Sequence, residues 1–140
     1  GAVTRLQDMG VEGYLISSSL LAIQAQRLVR RVCTDCSELV DISQDEASVL
    51  GIEIGDCPKI RRGLGCERCG NTGYKGRVGL YELLMMSDAI RHHIANDADA
   101  NVIRDQAIAE GMQTLREDAL EKLKAGLTTP EEVVRVTRSV

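Results

Sequence analysis

The sequence predicts an α+β fold. Two stretches of strand character, Leu20 to Val32 and Arg77 to Met85, flank an insertion rich in glycine and cysteine, and every strong signal after Ser87 is a helix signal. At 140 residues the chain is one domain, or one piece of a larger protein. Its 44% apolar and 27% charged residues are ordinary globular proportions, which excludes disorder and fibrous repeats.

The elements follow in order. A short helix is predicted over Ala2 to Met9, with Val3 and Leu6 on one face and Gly10 at its end. From Leu20 to Val32, Leu21, Ile23, Ala25 and Val29 alternate in part like a strand, while Leu20, Leu21, Ala25 and Leu28 also fit helical spacing; the strand is preferred. Residues 33–76 should be mostly loop, except that Ser43-Gln44-Asp45-Glu46 is a capping box opening a helix of about two turns that Gly51 ends. Val78 to Leu84 reads as the second strand, and Ser87-Asp88 starts the helical region. Val102 to Glu110 forms one helix closed by Gly111. Thr114 caps another, with a stripe of Leu115, Ala119, Leu120 and Leu123, that Gly126 ends. Thr129-Pro130-Glu131-Glu132 joins an N-cap, a proline at the first helical position and an acid three residues after the cap, which signals a last short helix.

Charge narrows the partners. The net charge of -4 argues against a general affinity for phosphate backbones, although residues 57–77 carry six lysines and arginines against one acid. With Tyr14, Tyr74 and Tyr81 as the only aromatic residues, base-stacking platforms are scarce, so nucleic acid is a disfavoured partner. The longest nearly apolar run, Tyr14 to Ile23, contains three serines and falls short of the ~18 residues that cross a bilayer. No secretion signal is evident, and a cytoplasmic location is expected.

The clearest chemistry lies in the cysteines. Cys33-Thr34-Asp35-Cys36 and Cys66-Glu67-Arg68-Cys69 are two CxxC pairs separated by 29 residues, and each can place two sulfurs on one tetrahedral ion at about 2.3 Å. Cys33, Cys36, Cys66 and Cys69 are therefore expected to hold a structural Zn2+. A closed shell of four thiolates leaves no position for water or substrate, so the site would fold the chain rather than catalyse. Arg30, Arg31, Arg61, Arg62, Arg68 and Lys75 lie near it in sequence and could offset its negative charge. The alternatives are a redox CxxC, which needs a βαβ context not visible here, or two unrelated pairs of free thiols. Cys57, beside Pro58, belongs to neither pair and is expected to be a free thiol. Residues 66–73 also come close to the CxxCxGxG repeat of DnaJ-type chaperones, with Asn71 where that repeat has its first glycine.

Other conspicuous residues have plainer readings. His92 and His93 are neighbours on a short helix, point in different directions and suit surface or packing roles. Met85 and Met86 should fill core space. Arg77 could brace the cysteine loop or reach a phosphate; bracing is preferred.

A resemblance covers nearly the whole chain. Ala25-Gln26-Arg27-Leu28, the paired CxxC motifs, the run from Gly73 to Glu82 and the run from Glu131 to Thr137 resemble the C-terminal part of type II secretion and type IV pilus assembly ATPases. Thr4-Arg5-Leu6, Met9-Gly10-Val11-Glu12, Gly111-Met112 and Thr114-Leu115 fit the same family in order, while Gly13-Tyr14 departs from its usual Pro-Phe.

The resemblance implies a division into three: residues 1–32 as the tail of a RecA-like ATPase core, 33–76 as a tetracysteine zinc module, and 77–140 as a returning strand and C-terminal helical subdomain. The two strands would run antiparallel at the edge of that core. The parent would be a hexameric, ATP- and Mg2+-dependent motor, cytoplasmic and peripheral at the inner membrane, acting on an inner-membrane platform protein. No G-x-x-x-x-G-K-[ST] occurs in these residues, so no catalytic or nucleotide-binding residue is assigned and the chain alone should be inactive towards ATP. An independent zinc module for a protein or nucleic-acid partner is the alternative. Two physical expectations accompany this reading: the strand from Leu20 to Val32 should expose one edge and one apolar face, and metal loss should loosen residues 33–76 while sparing the C-terminal helices.

Overall fold

The computed structural model describes residues 22–138. The helix expected over Ala2 to Met9, and Leu20 and Leu21 of the first strand, lie outside the described residues. The elements in order are β1 (Ala22–Val32), β2 (Ser37–Asp41), α1 (Gln44–Leu50), a 3₁₀ turn (Ile54–Asp56), β3 (Lys59–Gly63), a second 3₁₀ turn (Glu67–Cys69), β4 (Tyr74–Met85), α2 (Asp88–Ala95), α3 (Ala100–Ala109), α4 (Leu115–Lys124) and α5 (Pro130–Thr137). The fold class is α+β, as expected.

β1 pairs with β4, and β2 pairs with β3, in two separate two-stranded sheets. The second pair is antiparallel, with Leu39 opposite Arg61 and Val40 opposite Ile60, and it corrects the expectation of a loop between the cysteine pairs. Its strands are five residues each, rich in charge, and joined through α1, so neither alternation nor a tight turn announces them. What fixes them is Ile60, 1% exposed, with Asp41 closing the open end through an ion pair to Lys59 at 2.6 Å.

The chain forms two compact units, and β1 and β4 each contribute residues to both. One unit holds Tyr81–Thr114 and, among the described residues, 22–26. Its core is Met86, Ile90, Ile94, Ile103 and Ala107, with Ile23, Leu84, Ala98 and Met112 packed around it. α2 begins because the Ser87 side chain accepts from the Ile90 amide, and the i, i+4 pair Ile90 and Ile94 gives it one buried edge. α3 starts two residues before the predicted Val102 because Asp99 caps it, accepting from the Asn101 amide. Met86, just past the end of β4, is core, but Met85, the last residue of the strand, is 61% exposed, which corrects the expectation that it fills core space.

The other unit holds Arg27–Leu80 and residues 115–138. α4 packs on α5 and on β3, and α5 packs on α1. Leu115, Ala119 and Leu123 of the predicted stripe are buried, and Leu120 is half-buried. Ser43 forms the full capping box with Glu46, and Gly51 ends α1 in the left-handed conformation at φ +69°. Thr129 accepts from the Glu132 amide to start α5, with Pro130 first in the helix. The capping motifs at both helices therefore do what their sequence spacing indicates.

The edge of β1 is not left open over its second half. The Val32 amide donates to the Leu127 carbonyl (2.9 Å), the Arg30 amide to Glu132 Oε1 (2.6 Å), and Thr128 Oγ1 to the Arg30 carbonyl (2.9 Å). Val29 and Val32 are buried, Ile23 and Ala25 half-buried. The turn into α5 supplies the partners that an edge strand otherwise lacks, which corrects the expectation of a bare edge and face for these residues.

Candidate metal centre

Two knuckles meet at the end of the β2–β3 hairpin. The first is the turn from Cys33 to Ser37, closed by the Ser37 amide donating to the Cys33 carbonyl (3.1 Å), between β1 and β2. The second runs through the 3₁₀ turn Glu67–Cys69, closed by the Asn71 amide on the Cys66 carbonyl (2.8 Å). Gly70 and Asn71 are both left-handed, at φ +64° and +62°. Asparagine tolerates that region better than most residues, so Asn71 fills the place of the first glycine in the chaperone repeat without breaking the turn.

These turns bring the sulfurs of Cys33, Cys36, Cys66 and Cys69 within 4.8 Å of one another. Sγ···Sγ separations are 3.8 Å for Cys33 and Cys66, 3.8 Å for Cys36 and Cys69, and 3.7 Å for Cys66 and Cys69. A regular tetrahedron with zinc–sulfur bonds of about 2.3 Å has edges of about 3.8 Å. The thiols are free, and their spacing is far beyond the ~2.05 Å of a disulfide. The donor set and its dimensions fit a four-coordinate zinc ion.

Backbone amides complete the surroundings. The Gly65 amide donates to Cys36 Sγ (3.3 Å), and the amides of Cys66 (3.2 Å) and Gly73 (3.3 Å) donate to Cys69 Sγ. Burial works against ionising Cys69, but the Cys66 and Gly73 amides, with the Cys66 and Cys36 thiols, outweigh it and bring its pKa down to about 6. Cys36 is pushed up to about 11, by burial first and by the neighbouring thiols next, against the pull of the Gly65 amide. Cys69 therefore ionises more readily than Cys36, and a bound dication would require the sulfurs that hold it to be thiolates.

Three of the six cations expected around the cluster serve elsewhere. Arg30 pairs with Glu132 and lies 4.0 Å over the Tyr74 ring; Arg62 bridges Glu46 and Glu131; Arg61 packs over Gly126. Arg68 alone points back to a knuckle, 3.4 Å from Asp35. Negative charge at the sulfurs is met by peptide N–H groups, which the sequence could not disclose because any residue but proline offers one. The Arg77 side chain is exposed and makes no hydrogen bond or ion pair with the cysteine loop among the described residues, so no bracing contact is seen there. Cys57 is buried outside the cluster; its thiol donates to the Lys59 carbonyl at 3.6 Å, and burial pushes its pKa up. His92 contacts Asn96 and lies edge-on to His93, away from any group of metal-ligating side chains among the described residues.

Glu132 is the site-supporting residue that sequence reading took for a helix-cap acid alone. It is 1% exposed and takes the Arg30 amide, the Arg30 guanidinium (3.3 Å) and the Arg135 guanidinium (2.9 Å). Tyr74, immediately after the second knuckle, donates or accepts at Thr129 Oγ1 (2.7 Å). Both strands that carry the knuckles are therefore tied to the first turn of α5.

Comparison with known proteins gives one consistent result. A family described as type II/IV secretion system protein matches residues 1–135. The chain is 42% identical over 138 residues to the type II secretion system protein E of Aeromonas hydrophila, covering 99% of this chain and 27% of the relative. It is 46% identical to the type IV pilus assembly ATPase PilB of Thermus thermophilus, covering 97% of this chain and 16% of that protein, and 41% identical to the type II secretion system ATPase E of Vibrio cholerae. The chain spans about a quarter or less of the length of these relatives. Among the described residues no helix is long and apolar enough to cross a membrane.

Proposed function

The chain belongs to the type II/IV secretion system protein family, and from that membership we propose that it is the metal-bearing, non-catalytic C-terminal part of an ATPase that drives type II secretion or type IV pilus assembly. Zn2+ is held by Cys33, Cys36, Cys66 and Cys69. The observation that carries the metal reading is the match of three sulfur–sulfur distances, 3.7 to 3.8 Å, to the edge of a zinc–thiolate tetrahedron. The ion would supply cross-linking, not chemistry, since four thiolates leave no open coordination position.

In this reading residues 1–32 end a RecA-like core, 33–76 form the zinc module, and 77–140 return to the core edge and continue as the helical subdomain. ATP and Mg2+ are handled by the rest of the parent protein, which assembles as a hexamer at the cytoplasmic face of the inner membrane and works on a platform protein there. The phosphate-binding loop that such chemistry needs has no counterpart in the sequence in hand. The shared unit of the knuckles with α4 and α5 supports a scaffold role, in which the ion fixes the strands on which the last helices rest.

The test is made in cells whose only copy of the parent protein carries Cys66→Ser with Cys69→Ser. Secretion across the outer membrane and pilus-dependent motility are both measured, and the purified protein is analysed for zinc. Loss of zinc with loss of one process supports the proposal and identifies the process. Zinc-free protein with both processes intact overturns the role assigned to the ion.

A further inference from the structure

The two knuckles are brought together by a crossing of the chain over itself, where the end of β3 meets the turn into β4. The Gly63 and Gly73 backbones touch there. A Cβ on Gly63 would stand 2.6 Å from the carbonyl carbon of Gly73 and press on its oxygen, and a Cβ on Gly73 would stand 2.6 Å from the Gly63 carbonyl oxygen. No side chain fits either position, because backbone rather than a flexible side-chain end occupies the space.

Gly73 also touches both knuckles. Its amide donates to Cys69 Sγ (3.3 Å), and its carbonyl accepts from the Cys33 amide (2.9 Å). Gly63 lies opposite Ser37, the residue after the first pair, and one residue before Leu64, whose amide donates to the Cys36 carbonyl (3.2 Å). The closest approach of the two backbones therefore sits between the two halves of the cluster and is hydrogen-bonded to each.

We propose that Gly63 and Gly73 are positioning residues that set the bite of the four-sulfur site: their contact holds the Cys33–Cys36 turn against the Cys66–Cys69 turn at the separation a tetrahedral ion requires. The inference rests on the metal reading above. Any side chain at position 63 must part the two backbones, and the parting falls on the Cys33–Cys66 and Cys36–Cys69 edges, which join opposite knuckles. The Cys66–Cys69 edge lies inside one knuckle and is spared.

Two other glycines make the experiment selective. Gly76 needs a left-handed backbone, at φ +81°, but a Cβ there would meet nothing within 4 Å. Gly63 is the converse: it has no left-handed φ, and it has the contact. Alanine at 76 thus introduces backbone strain without separating the knuckles, and alanine at 63 separates them without that strain.

The full 140-residue chain is prepared as wild type, Gly63→Ala and Gly76→Ala. Zn2+ affinity is measured by chelator competition, and Co2+ is used as a spectroscopic substitute whose visible bands report tetrahedral thiolate coordination. Stability is measured with metal and in chelator. Gly63→Ala should weaken zinc roughly 10- to 100-fold, in the range of altered metal surroundings. It should also distort the Co2+ bands and lose most of the stability gained on adding metal, while its stability in chelator stays near wild type. Gly76→Ala should keep wild-type affinity and bands. If Gly63→Ala binds zinc as wild type does, or if its loss of stability is as large in chelator as with metal, the positioning role is overturned. Wild-type protein that binds no zinc overturns the metal reading itself, and the proposal with it, by a different result.

Discussion

Glu132 concentrates the electrostatics of the larger unit in one carboxylate. Burial would raise its pKa, but Arg135, the Arg30 amide and the Arg30 guanidinium together hold it down at about 2 against an ordinary value of 4.5. A folded-state pKa below the unfolded one stabilises the protein above the unfolded value, and the gain disappears as pH falls through the folded value. Because Arg30 and Arg135 are half exposed and solvent screens them, the contribution is on the order of 1 to 2 kcal/mol near neutrality, fading between about pH 4.5 and 2. Urea unfolding of wild type and Glu132→Gln should therefore differ most above pH 5, and the gap should narrow as the solution is acidified to pH 3. A gap that is constant across this range would show that the carboxylate charge is not the source. Residue-level legibility was uneven for a physical reason. The four cysteines were readable because a chelating pair is local, two turns of CxxC, whereas Glu132 meets a partner 102 positions away that no spacing rule can connect. Separations of 102 and 69 residues explain why spacing ties Arg30 and Arg62 to the sulfurs, their neighbours in sequence, and not to the C-terminal helix they touch.

The starts of three helices capped by a serine or threonine were readable, the Asp99 cap of α3 was missed, and strands that depend on a distant partner were not readable. Ser43, Ser87 and Thr129 each accept from an amide two or three residues into the helix, so the signal and its effect share one turn of chain. β2 and β3 carry few apolar residues, and their pairing is held by Ile60 and by α4, which packs on β3. Ser43→Ala removes the hydroxyl that accepts from the Glu46 amide and leaves the residue-43 amide donating to the Glu46 side chain, which also reaches Arg62. It should cost about 1 kcal/mol, read as a lower urea midpoint with an unchanged slope. An effect near zero would mean that packing of Ala47 and Leu50 alone maintains this two-turn helix. Alternation and helical spacing compete over Leu20 to Val32, and β1 is the preferred strand, beginning at Ala22 among the described residues; the mixed pattern at its start reflects Ile23, which packs towards the α2–α3 core, while Val29 and Val32 are buried in the other unit.

At the scale of the molecule, the division into units changes what metal removal should do. α4 and α5 share a unit with the cysteines, and Tyr74 and Arg30, beside the two knuckles, are bonded to Thr129 and Glu132. The α2–α3 pair has its own core and none of these ties. Chelation followed by hydrogen exchange should release amides in residues 33–76 and also in α4 and α5, while Ile90, Ile94 and Ile103 stay protected. Equal loss across both units would indicate a single cooperative block. This revises the expectation that all C-terminal helices would be spared, which treated them as one subdomain because their signals are continuous in sequence. The spacing of the cysteines has a further consequence for how the chain reaches this structure. Each CxxC turn can catch the ion with two sulfurs before anything else has formed, and joining Cys33 to Cys66 closes a loop of 33 residues, whereas joining Arg30 to Glu132 spans 102. The shorter closure costs about 1 kcal/mol less entropy, so an ion held by these cysteines would be captured before α5 docks on β1. A chain synthesised without zinc would lack that early closure and would have to dock α5 on β1 from a more open chain, with the β1 edge bare until it did so.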